Sequence, residues 1–117
     1  MGAAMEVSNQ VGCGFLEAVY QEALEIELNE QRIPYIPQKR IEISYKGRLL
    51  SKEYIADFLC YNRIIVEIKA IRAITGIEEA QILNYLKAMN LPVGLIFNFG
   101  TPQLEGKRYA NTKKNRE

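Results

Sequence analysis

Apolar residues recur at helical spacing between Phe15 and about Gln31, where FLEAVYQEALEIELNEQ puts Tyr20, Leu24 and Leu28 on one stripe among good helix formers. Pro34 lacks the amide needed to continue that helix. Ahead of it, Ala3 to about Asn9 suits a short helix, which Gly12-Cys13-Gly14 interrupts with turn-favouring residues. Beyond the proline the period drops to two. Ile41, Ile43 and Tyr45 alternate with Glu42, Ser44 and Lys46, the pattern of a strand wet on one face, and Lys46-Gly47-Arg48 reads as its turn. Two runs rich in β-branched and aromatic residues, EYIADFLC and RIIVEIK, follow with little more than Tyr61-Asn62 between them, which predicts a hairpin.

Thr75-Gly76-Ile77-Glu78 has the spacing of a capping box and predicts a helix that runs to about Met89, before Asn90 and Pro92. VGLIFNF is then a continuous apolar run, as expected of a strand covered on both faces. The closing NTKKNRE is polar and reads as a basic, frayed tail over 111–117, after one domain over 1–110. The order of helix, three strands, helix and strand predicts an α+β layered domain, with a mixed four-stranded sheet flanked by helices. A right-handed crossover lays the last strand parallel to a neighbour.

Composition narrows the chemistry more than it narrows the fold. At 117 residues, 48% of them hydrophobic and 25% charged, the chain suits one domain with its own core. The absence of histidine removes Ser-His and Cys-His nucleophile pairs and every histidine-bearing zinc site. Cys13 and Cys60 stand in no metal or redox spacing, which suits reduced thiols. Any metal must therefore be held by carboxylates. With no long apolar stretch and no basic segment leading into an apolar run at the start, the expectation is a soluble cytoplasmic protein without membrane contact. The net charge of +1 is unevenly spread: residues 1–31 carry six glutamates and no lysine or arginine, whereas residues 32–72 carry nine basic against four acidic side chains. Such a chain can present a basic face to a polyanion without a basic composition, although solvated charge asymmetry gives the same pattern.

Asp57 is the only aspartate, and it stands inside the apolar run Tyr54-Ile55-Ala56-Asp57-Phe58-Leu59, where aspartate is disfavoured. Glu67 interrupts Ile64-Ile65-Val66, and Lys69 follows on the same strand face. Asp57 joins them only if Cys60 pairs with Ile64 across the three-residue loop Tyr61-Asn62-Arg63; a two-residue turn slips the register by one and parts the carboxylates. With the first register, two carboxylates and an ammonium converge. That set can hold a hard cation such as Mg²⁺, which keeps several waters and accepts phosphate oxygens, and Lys69 can orient a nucleophile or clamp the phosphate. The alternative is an ordinary wet strand face made by Arg63, Ile65, Glu67 and Lys69.

These residues resemble the PD-(D/E)XK nuclease-like superfamily and, within it, the small GxxExxY group. The group's motif reads Gly14-Phe15-Leu16-Glu17-Ala18-Val19-Tyr20 here, the superfamily's aspartate is matched by Asp57, and its (D/E)XK element by Glu67-Ile68-Lys69. Gln81-Ile82-Leu83-Asn84-Tyr85 is similar to the QxxxY element of RecB-like nucleases. The resemblance implies a restriction-endonuclease-like αβββαβ core and Mg²⁺ (or Mn²⁺) on Asp57, Glu67, the Ile68 carbonyl and Glu17. It further implies that Lys69 assists the attacking water and that Gln81 and Tyr85 orient the cluster or a phosphate. The implied substrate is nucleic acid, DNA ahead of RNA, and a homodimer is compatible with so small a domain. Two positions depart from many relatives: Ser8 stands in place of a histidine and Cys13 in place of a proline. The competing readings are a weak or inactive nuclease-fold module that binds nucleic acid or a protein, and a plain structural domain.

Overall fold

Tyr20, Leu24 and Leu28 form a buried helix stripe in the computed structural model, which describes residues 2–111. The break at Gly12-Cys13-Gly14 separates α1 (Gly2–Val11) from α2 (Glu17–Glu30). Three strands follow, β1 (Tyr35–Tyr45), β2 (Arg48–Cys60) and β3 (Ile64–Lys69), then α3 (Gly76–Met89), β4 (Val93–Asn98) and β5 (Glu105–Ala110). Lys46 and Gly47, both at positive φ, make the turn between β1 and β2. The capping box is present at the start of α3: the Thr75 side chain accepts from Ile77 N–H, and Glu78 accepts from Thr75 N–H at 2.7 Å. No helix among the described residues is long and apolar enough to cross a membrane.

The sheet has the order β1-β2-β3-β4-β5 and is antiparallel except for the parallel β3–β4 pair that α3 connects. The α+β class and the mixed sheet flanked by helices are as expected, but the sheet has five strands rather than four. β5 (EGKRYA) is an edge strand whose residues are exposed or half-buried, so it carries little of the hydrophobic signal that marks interior strands. Asn111, the first residue of the expected tail, is buried, and its side-chain amide donates to the carbonyl of Leu86 in the last turn of α3 and to that of Leu91 just beyond the helix. The rest of the expected tail, residues 112–117, lies outside the described residues.

Two cores sandwich the sheet. One joins Ala3, Ala4 and Val7 of α1 and the α2 stripe to Phe58, Val66, Ile68 and Phe97. The other joins Ile82, Tyr85 and Leu86 of α3 to Ile41, Ala56, Leu59, Ile65 and Ile96. Side chains on β3 alternate between the two layers, as pleating requires. On β2 the alternation slips at one place: Ala56 packs with α3 and Phe58 with α1 and α2, although they are two residues apart. Asp57 lies at that slip, and Gln38, opposite it on β1, has φ of 52°. The outer part of the β1–β2 hairpin leaves both cores behind and exposes Tyr45, Leu49 and Leu50.

Candidate active site

Cys60 pairs with Ile64, Leu59 with Ile65 and Phe58 with Val66, across the three-residue connection that brings Asp57 opposite Glu67. There the backbone ladder stops and the carboxylates replace it. Asp57 N–H donates to Glu67 Oε2 at 2.8 Å, and Ile68 N–H donates to Asp57 Oδ2 at 2.7 Å. Each carboxylate is thus oriented by an amide of the other strand, and the slip in β2 turns Asp57 toward its partner rather than into a core. Amide and carbonyl of one strand residue point to the same edge, so the Ile68 carbonyl also faces the Asp57 side.

Glu67 is only 5% exposed. Burial, helped by the Asp57 charge, pushes its carboxyl up to about 8; the bond from Asp57 N–H and the Lys69 ammonium pull the other way. Burial raises Asp57 as well, against the opposing effects of the Ile68 amide, Lys69 and a hydrogen bond from Glu67. The two carboxyls therefore tend to keep a proton between them. Two desolvated hard-oxygen donors that resist full ionisation are an apt set for a divalent cation, which relieves their repulsion. Among the described residues no three histidine, cysteine or acidic side chains gather closely enough to hold a metal ion together, so Glu17 does not join Asp57 and Glu67 as a third ligand in this arrangement. Mg²⁺ needs only one or two carboxylates beside water and substrate oxygens, so the pair fits it.

Lys69 shares the face of Glu67 and is half-buried. Its ammonium donates to Gln81 Oε1 at 3.3 Å, so a residue of α3 holds it beside the carboxylates without an ion pair to either. Tyr85, one turn beyond Gln81, is buried and sits close enough to Glu67 and Asp57 for their charges, after burial, to push its phenol up to about 12. Gln81 and Tyr85 thus meet the cluster from the α3 side.

Glu17, which the resemblance implies as a further metal ligand, does not lie on the buried stripe of Tyr20, Leu24 and Leu28. It is the first residue of α2, where the stripe has already run past the edge of the core, and it is exposed. Partial desolvation and then Asp57 raise its carboxyl, while Lys69 lowers it. The residues around it explain the motif. The Tyr20 hydroxyl donates to Gly12 C=O at 2.7 Å and accepts from Phe15 N–H at 3.1 Å, and its ring stacks on Phe99 at 4.7 Å. Gly14 has φ of 107°, which a side chain would strain. The glycine turns the connector and the tyrosine pins it, leaving the glutamate at the start of α2. Ser8 takes part through its carbonyl, which accepts from Gly12 N–H, and Cys13 is exposed in the same connector.

Asn98 and Glu105 were missed. Asn98, fully buried at the end of β4 beside Lys69, accepts from Ile71 N–H and donates to Ile71 C=O, both at 2.9 Å, and donates to Glu105 Oε1 at 3.1 Å. Its side chain acts as one more strand residue and fixes the segment that leaves Lys69. Gly100 lies against the same segment, where a Cβ would overlap the Ile71 backbone. The signal was in view: an asparagine in an otherwise apolar interior strand demands partners.

Comparison with known proteins places residues 1–109 within the family model described as PD-(D/E)XK nuclease superfamily. Four chains of known structure match the fold. One, described as "Crystal structure of SSO0001", superposes with a TM-score of 0.64 at 19% identity, covering 86% of this chain and 55% of that one. The chain thus spans about half the length of that protein, and the likeness extends to the fold alone. A comparison with curated proteins gave no match.

Proposed function

The chain belongs to the PD-(D/E)XK nuclease superfamily, and on that premise we propose that it is a metal-dependent nuclease that hydrolyses phosphodiester bonds of DNA at Asp57, Glu67 and Lys69. The observation that carries this reading is the carboxylate pair at the end of the β2–β3 ladder, each member clamped by the other strand's amide. Asp57 and Glu67 would hold Mg²⁺ or Mn²⁺, with the Ile68 carbonyl as a further ligand and Glu17 approaching from the rim. Bound there, the cation would lower the pKa of a water and neutralise charge building on the phosphate. Lys69, steadied by Gln81, would orient the attacking water through its ammonium protons, which serve as fixed donors to developing negative charge. Tyr85 would keep the Glu67 side of the cluster dry.

The Gly14, Glu17 and Tyr20 arrangement supports assignment to the GxxExxY group, because each motif residue has a distinct physical task in placing the acidic side chain. Two unpaired thiols, one buried and one exposed, suit a reducing cytoplasm. A single domain over 1–110 carries the whole cluster, and a homodimer would extend its footprint on nucleic acid.

The test is cleavage of labelled single-stranded and double-stranded DNA with Mg²⁺, Mn²⁺ or EDTA, beside the Asp57→Asn protein. Metal-dependent cutting that disappears in Asp57→Asn is the expected result. Identical background in both proteins would transfer the assignment to a nuclease-fold module that binds without cutting.

A further inference from the structure

Between α3 and the β1–β2 hairpin lies a cavity of about 640 Å³, walled by Ile43 and Tyr54 on the hairpin and by Ile77, Gln81, Asn84 and Tyr85 on α3. Its volume lies in the range that accepts a small organic ligand. The walls are aliphatic groups and two phenol rings, with two primary amides among them. The rings of Tyr54 and Tyr85 are 5.7 Å apart and tilted by 44°, and Tyr54 is 51% exposed, so its ring belongs to the cavity more than to the core.

This cavity and the carboxylate cluster share their walls. Gln81 lines the cavity and also holds Lys69. Tyr85 lines it and belongs to the same core cluster as Ala56, the residue before Asp57. Tyr54 precedes Asp57 by one short stretch of β2. An occupant continuous with a phosphodiester at the cluster must therefore be flat, apolar on its faces and able to pair with amides at its edge.

We propose that the cavity receives one unpaired nucleobase of the strand whose phosphate lies at Asp57 and Glu67, an inference that rests on the nuclease reading above. Stacking on Tyr54 supplies affinity without a sequence requirement, and the Gln81 and Asn84 amides meet the base edge. A base that is paired and stacked in a duplex cannot enter a cavity bounded by a helix and a hairpin, so the protein acts on single strands or on locally opened duplex.

The test is fluorescence anisotropy in EDTA, where cutting is off. The probes are a single-stranded oligonucleotide, its duplex, and a strand of the same length built from abasic sugars, measured with wild-type, Tyr54→Ala and Tyr54→Phe proteins. Wild type is expected to bind the single strand at least about tenfold more tightly than the duplex. Tyr54→Ala is expected to weaken single-strand binding roughly ten- to a hundredfold, while Tyr54→Phe stays close to wild type and the abasic strand is indifferent to the substitution. Equal weakening on all three probes, no weakening on any, or a duplex bound as tightly as the single strand overturns the base cavity. Cleavage by wild type separates the two readings. Metal-dependent cutting combined with any of those binding results overturns the cavity alone, whereas the expected binding pattern together with cutting that survives Asp57→Asn leaves the cavity standing and overturns the catalytic assignment. No binding to any probe and no cutting overturns both.

Discussion

Replacing Glu67 with glutamine should make the protein more stable at pH 8.5 and leave its stability nearly unchanged at pH 5. The glutamine keeps an oxygen to accept the Asp57 N–H and removes the charge that burial opposes. In the unfolded chain a glutamate titrates near its ordinary value of 4.5, whereas in the native state Glu67 holds its proton to about 8. Between those limits the native state binds more protons than the unfolded one, so stability falls as pH rises, by about 1.4 kcal/mol per pH unit. Across the whole window the loss is on the order of 3–5 kcal/mol. Below pH 4.5 both states are protonated and the penalty vanishes. The groups facing Glu67 are Asp57, Glu17, Lys69 and Tyr85. Of these, Asp57 and Glu17 are also raised and add to the fall, while Glu78, lowered by its capping bonds to Thr75, works weakly against it. The assay is urea denaturation in EDTA at pH 5 and 8.5, followed by circular dichroism, for wild type and Glu67→Gln. A wild-type stability that stays level between the two pH values, or a glutamine variant that is the weaker protein at pH 8.5, would refute the reasoning.

Lys69→Ala should keep the thermal stabilisation that Mg²⁺ gives to wild type, because the carboxylates are intact, while cleavage falls by roughly 10²–10⁴-fold; unchanged turnover would remove Lys69 from the chemistry. Tyr20→Phe keeps the stacked ring but deprives Gly12 C=O and Phe15 N–H of their partner, so urea midpoints should report a loss of about 1–3 kcal/mol. Gly100→Ala drives a methyl group into the Ile71 backbone, and the expected cost of roughly 3 kcal/mol or more should show as a large drop in melting temperature or as insoluble protein.

Period and punctuation alone determined most of this protein. The α2 stripe, the capping box at Thr75, the turn at Lys46-Gly47 and the apolar run of β4 are local signals, each decided by residues within a few positions of one another. The meeting of Asp57 and Glu67 was legible only as one of two registers, and the pairing of Cys60 with Ile64 across a three-residue loop is what selects it. What the tertiary structure decided depends on partners remote in the chain. β5 is a strand because β4 offers it an edge, and its own polar residues do not announce it. Asn98 matters because the chain after Lys69 returns beside it, and Glu17 sits at the rim because Tyr20 ties down the connector before it. The slip at Asp57 is likewise a property of two layers that claim Ala56 and Phe58 for opposite sides of the sheet. Local free energies choose the elements, but the site is made where elements distant in sequence exchange hydrogen bonds, and those contacts exist only once the sheet has assembled.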